Sequence, residues 1–265
     1  MIKEKYKDIF KFAQKVLDSN IKPLHVHGQN ANSLPKRVAL YHYVRAFNLL
    51  WAIKILCEQG FAREGMILLR SLLNLYIDLK WLTTDDIDSR MERYADFEVI
   101  RKYTAIETLI ELGEIPREEG IKDLENLRET YEKIKKKYGL KGNPRSWSWS
   151  GKRIRQMAEE VSLKKDYDIV YFYLSDREHT SPAAVRDYLD NSKNGYIVTK
   201  VGLSDVKIDL VILTALDYFL NVKEITLDIF NMDCMDLSSL KVEKQELSKL
   251  QNKYWSKRGN DLYRK

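Results

Sequence analysis

The sequence predicts an all-α protein, a multi-helix bundle of about nine helices, from three observations. Glycine (11) and proline (5) are scarce for 265 residues, so the chain carries few helix breakers. Apolar residues recur at spacings of three and four through most of the chain. The only strand-like run is Tyr196-Ile197-Val198-Thr199-Lys200-Val201, which suits a small β-hairpin near 196–201 beside an Asn194-Gly195 turn.

Each element has its own signal. Residues 2–19 align Tyr6, Ile9, Phe10, Ala13, Val16 and Leu17 on one helical face. After a polar loop, Ser33 and Pro35 open a helix over 35–59, which Gly60 ends. Residues 61–82 are apolar nearly all round, the mark of a helix at the centre of a bundle. Thr84 or Asp85 is the expected cap of a helix over 86–112, stopped by Gly113 and Pro116. Residues 117–138 are a charged helix whose lysines Lys133, Lys135, Lys136 and Lys137 follow Glu129 and Glu132 as a solvated face. The loop 139–151, short helices over 152–161 and 166–179, and another opened by Ser181 and Pro182 come next. A long apolar helix over 204–232 and an amphipathic one over 236–260 complete the chain. The expectation is one helical domain over 1–265, with its motifs in 60–190.

Composition narrows the function classes. Hydrophobic residues make up 44% and charged residues 32%, which argues for a folded, well-solvated protein. The net charge of +6 comes from 45 basic and 39 acidic residues that interleave, so it permits a phosphate-bearing partner without requiring one. No apolar run approaches the roughly eighteen residues of a membrane span. No signal peptide is visible, and Cys57 and Cys234 read as buried thiols of a reducing compartment; a cytosolic protein is expected. Phosphate-loop, dinucleotide and nucleophile-elbow motifs are missing, and no cofactor or metal is expected. His25 and His27 have no companion ligands in sequence.

Four groups of residues bear chemistry. Arg70, Asn74 and Asp78 step by four along one face of the most apolar helix, either as an internal Arg-to-Asp network or as a pocket wall. Tyr171, Ser175 and His179 step by four as well, with Arg177 beside them. His179 is there either a helix-capping group or a general acid/base oriented by hydroxyls. Trp147, Ser148, Trp149, Ser150, Lys152, Arg153 and Arg155 interleave aromatic and basic side chains, which suits base stacking or the docking of a loop. Arg37 and His42 have the arginine-to-histidine spacing of metal-independent HEPN-class ribonucleases. The residue after the arginine is apolar Val38 rather than polar, so an ordinary helix face is the favoured reading.

Three stretches resemble an uncharacterised bacterial family, domain of unknown function 5677. They are Leu68-Leu69-Arg70-Ser71-Leu72-Leu73 running on to Trp81-Leu82, then Trp149-Ser150-Gly151-Lys152 with Ala158-Glu159, then Tyr167, Tyr171, Ser175, His179 and Ser181. The family pattern has glutamate four residues after the arginine, where this chain has Asn74. The resemblance implies an all-helical core, sets Arg70, Ser175 and His179 at the family's polar positions, and associates the chain with defence or toxin-like neighbourhoods. Two functions are then expected as alternatives. One is a metal-independent RNA-cleaving effector, with His179 as acid or base, Arg70 or Arg177 stabilising the phosphate, and Ser175 nearby. The other is a non-catalytic helical module binding a protein or small ligand through Tyr171, Asn74, Asp78, Trp147, Trp149 and Lys152. The helices over 204–232 and 236–260 are expected to bury either against each other or across a dimer, and a homodimer is the preferred oligomer.

Overall fold

The structure is a computed structural model that describes residues 2–21, 33–171, 182, 185–191, 197–200, 202–231 and 234–256. Its helices are α1 (Ile2–Lys5), α2 (Lys7–Asn20), α3 (Leu34–Glu58), α4 (Ala62–Leu82), α5 (Ile87–Leu112) and α6 (Arg117–Lys137). They continue as α7 (Ile154–Glu160), the single turn α8 (Lys164–Asp166), α9 (Val185–Tyr188), α10 (Ile208–Phe230) and α11 (Cys234–Trp255). A π-helical turn, Tyr167–Tyr171, comes directly after α8. The strands β1 (Leu189–Asn191) and β2 (Ile197–Thr199) pair antiparallel, with Leu189 opposite Thr199, so the expected small hairpin is present. Ser181, Asn194 and Gly195 lie outside the described residues.

α10 is the axis of the main core. Ile212, Leu213, Ala215, Leu216, Phe219, Leu220 and Val222 are fully buried, and α3, α4, α11 and α2 surround it. An apolar helix of this length cannot face water, so it recruits neighbours on all sides. The two C-terminal helices therefore bury against each other within one chain. Lys223 on α10 meets Glu243 on α11 at 2.7 Å, both almost fully buried. Glu243 also accepts from Ser19 Oγ of α2 at 2.9 Å.

α5 and α6 form a hairpin with a smaller core of Phe97, Ile100, Tyr131, Ile134 and Trp147. Its outer face is laced differently from the sequence expectation. Lys133 pairs with Glu129 at 2.6 Å, but Lys137 reaches Glu92 at 2.8 Å and Asp96 at 3.0 Å on α5. The α5 cap also differs. Asp86 accepts from Ser89 N, because Thr84 bonds back to the Lys80 carbonyl and Asp85 turns left-handed to pair with Arg90. Gly60 ends α3 as expected, at φ +82°. A Cβ there would lie 2.9 Å from Ile2 Cδ1 and 3.0 Å from Leu203 Cβ, so only glycine fits.

Removing one partner of the buried pair leaves the other charge desolvated. Glu243→Ala is expected to cost about 3–5 kcal/mol in urea denaturation. The double change Lys223→Met with Glu243→Leu should recover most of that loss. Equal losses in both variants would show that Glu243 acts through Ser19 instead.

Candidate functional site

α4 runs between α3 and α10, and its buried positions leave one half-buried polar row: Arg70, Asn74 and Asp78. Among the described residues no bond links Arg70 to Asp78. Eight helical residues separate the two groups by about 12 Å along the axis, too far for contact. Arg70 turns instead to Tyr171. Its Nη2 donates to the phenol oxygen at 2.5 Å, and Cζ lies 4.3 Å from the ring centroid. The π turn delivers Tyr171 to this place with Tyr167 stacked on it at 4.2 Å.

The other two members of the row have no such match. Asn74 Oδ1 is buried and accepts no hydrogen bond. Among the described residues nothing bonds to the Asp78 carboxyl, and burial alone pushes its pKa up from 3.8 to about 7. A buried acceptor without a donor costs on the order of 1–3 kcal/mol, and that of Asn74 stands one helical turn from the desolvated Asp78 carboxyl. Together they are the strongest sign of a ligand-binding role in the described residues.

Tyr94 of α5 links this row to the surface. Burial is the main cause pushing its pKa up to about 12, and the charges of nearby Tyr41 and Asp78 add to it. Its ring meets Trp149 at 5.0 Å and 87°, and Trp149 meets Trp81 of α4 at 5.6 Å and 70°. In front of these rings an open cleft of about 430 Å³ is lined by Tyr41, Tyr94, Phe97, Glu98, Arg101 and Trp149. The sequence reading missed Tyr94, Tyr41 and Glu98. The signal available for Tyr94 was its place three residues from both Met91 and Phe97, on the inward face of α5.

Both tryptophans of the loop, with Lys152 and Arg155, are engaged within the fold, while Arg153 is exposed. Trp147 is buried, with Nε1 donating to the Lys141 carbonyl at 2.7 Å, and Arg101 donates to its carbonyl at 3.0 Å. Arg93 Nε donates to the Trp149 carbonyl at 2.6 Å. Gly151, at φ +70°, brings the backbone so close that a Cβ would lie 2.9 Å from Arg93 Nη2. Lys152 pairs with Glu160, which also accepts from Trp81 Nε1 at 2.7 Å. Arg155 pairs with Asp168 at 2.9 Å. Trp149 packs against both hydrophobic cores, so this loop joins the α5–α6 hairpin to the main bundle.

His42 is buried. Its Nδ1 donates to the Val38 carbonyl at 2.8 Å, and burial lowers its pKa to about 4. It is a core histidine of α3, bonded one turn back along its own helix, while Arg37 is exposed. Ser175, Arg177 and His179, like His25 and His27, lie outside the described residues. Among the described residues no group of three or more His, Cys, Asp or Glu is placed to hold a metal ion, and no helix is long and apolar enough to cross a membrane.

The fold and the row thus define an all-α protein with a half-buried polar row on α4 and an aromatic cleft beside it at Tyr94. The profile of a family of unknown function, DUF5677, matches residues 36–197, and the chain belongs to that family. A comparison with curated proteins and one with solved structures return no match. The family segment starts in α3, earlier than the sequence motifs, and takes in the cleft, the row and the hairpin. α10, which buries α3 and α4, lies beyond it.

The row makes a pH prediction. Asp78's folded-state pKa is raised above its unfolded value. At low pH both states hold the proton and nothing is lost. Between about 4 and 7 the unfolded chain releases it first, so stability falls as pH rises, and the loss is complete above about 7. Asp78→Asn should remove this slope. Its stability gain over wild type should grow by about 2 kcal/mol between pH 5 and pH 8 in urea denaturation. Parallel curves would mean that the carboxyl is solvated or paired.

Proposed function

We propose that the protein is a non-catalytic helical module that binds a small ligand rich in N–H donors, an amine or amidine, in the aromatic cleft. The observation that carries this reading is the buried Asn74 Oδ1 without a donor, one helical turn from the desolvated Asp78 carboxyl, whose charge reaches Tyr94. Tyr41, Tyr94 and Trp149 offer faces to a cation, and Glu98 adds an acid at the mouth. A donor reaching Asp78 would replace a desolvated acid with a charge-assisted bond. The occupied state of Trp147, Trp149 and Lys152 supports this reading over nucleic-acid stacking.

Thermal unfolding tests it. At pH 8, a panel of guanidine, arginine, choline and spermidine is expected to contain a compound that raises the Tm of the wild type by several degrees. Asp78→Asn and Trp149→Leu should each abolish that rise. A panel without effect, or a rise that survives both changes, defeats the proposal.

A second reading, a cytosolic defence or toxin-like effector that cleaves RNA without metal, draws support from Arg70. Tyr171 holds its guanidinium directly before the segment that carries Ser175, Arg177 and His179. Under this reading, induced expression in a bacterial host arrests growth and degrades total RNA, and both Arg70→Ala and His179→Ala relieve it. Intact RNA with normal growth speaks against it.

A further inference from the structure

α3 is apolar on two sides, and among the described residues only one of them is covered. Val38, Ala39, Tyr43, Ala46, Phe47, Leu50, Ile53 and Cys57 enter the core. On the opposite side Tyr41, Val44, Asn48, Trp51 and Ile55 succeed one another at spacings of three and four. That is the seam pattern of a helix built to pack against another helix. These side chains are open to solvent: Tyr41 is 52% exposed, Val44 49%, Trp51 37% and Ile55 48%, with Asn48 exposed between them. Half-buried Leu40, Leu49, Ala52 and Leu56 flank the row. An open groove of about 660 Å³ runs along its N-terminal half, between Arg37, Tyr41, Val44, Arg45 and Asn48. Isolated exposed apolar residues need no explanation, but a continuous seam along a 25-residue helix does.

We infer that this face of α3 is the interface of a homodimer, in which α3 packs antiparallel on α3 of a second copy about a two-fold axis through Asn48. The charges on the face select the partner and the direction. Arg37 and Arg45 lie in the N-terminal half, and Trp51, Ile55 and Glu58 lie in the C-terminal half. A parallel pairing sets like arginines against each other. The antiparallel pairing sets Arg45 over the partner copy's Trp51, a cation–π geometry, and Arg37 at the partner copy's helix C-terminus, where carbonyl dipoles favour positive charge. Tyr41 then packs on the partner copy's Ile55, and Val44 on its Ala52. The two Asn48 amides meet and bond to each other, which fixes the register as a single polar residue in an apolar seam does. A helix of this length is about 37 Å long and covers on the order of 700 Å² per copy, close to the ~800 Å² of a standard interface. Unlike the C-terminal helices, this face is not packed on another helix among the described residues, and only Tyr41, at its edge, also borders the aromatic cleft.

Sedimentation equilibrium of the full chain is expected to give twice the chain mass at micromolar concentration. Val44→Glu combined with Ile55→Glu should weaken association at least a hundredfold while circular dichroism and Tm stay unchanged. Under mild oxidation Asn48→Cys should link copy to copy. Tyr41→Cys should not link to itself, but should link when mixed with Ile55→Cys. If the glutamate variant loses helicity, these cysteine variants decide the question. A chain that is monomeric at every concentration, or a dimer indifferent to both glutamates and to Asn48→Cys, overturns the inference. Self-linking through Tyr41→Cys overturns the antiparallel pairing.

Discussion

The need to bury α10 on all its sides organises this molecule. A helix whose inward and outward positions are both apolar leaves its neighbours no choice of side, so α3, α4, α11 and α2 close around it. Once α3 and α4 are fixed against α10, their remaining faces are determined too. The far side of α3 becomes surface, and one face of α4 meets the short helix α7 and the π turn. The cleft and the polar row are consequences of that arrangement, placed where the layers supported by α10 meet the α5–α6 hairpin.

Within this frame the protein treats its buried charges in two ways. Lys223 and Glu243 are matched, and hydroxyl and amide groups of α2 add bonds to the carboxylate, as Ser19 does at 2.9 Å. Such a pair fixes how α2, α10 and α11 meet, whatever its net contribution to stability. Half-buried Asn74 and Asp78, by contrast, have no such match among the described residues. The difference reflects position: the matched pair lies between tightly packed helices, and the unmatched groups lie beside the aromatic cleft.

Much of the fold was legible from local rules. The breakers Gly60 and Gly113 end helices where their sequence positions say they should, and the strand run near 196–201 pairs into a hairpin. The cap of α5 was not legible, because Thr84, Asp85 and Asp86 are all good cap formers. Which one caps depends on Arg90 drawing Asp85 away. Lys137 was misassigned for a similar reason. Spacing shows its own helix, whereas its partners Glu92 and Asp96 stand on the next one. At the site, periodicity aligned Arg70, Asn74 and Asp78 on one face but could not show that Arg70 meets Tyr171. Nor could it show that Asp78 meets no partner. The approach of Tyr94, from a helix that no local pattern connects with α4, is a tertiary fact. His179, Ser175 and Arg177 lie outside the described residues, so only their spacing in sequence speaks for them.

The π turn at Tyr167–Tyr171 has a consequence for how this chain can change. A π turn holds one residue more than an α turn over the same stretch, and such turns descend most simply from an insertion into an ordinary helix. Deleting one residue there would restore an α turn and leave the chain beyond it in register. Tyr167 and Tyr171 would then stand three residues apart instead of four, and the stacking that braces Tyr171 against Arg70 would be lost, although both residues would still be present in the sequence. The contact is therefore encoded by chain length as much as by residue identity, and a comparison that counts only matching letters would not see it lost.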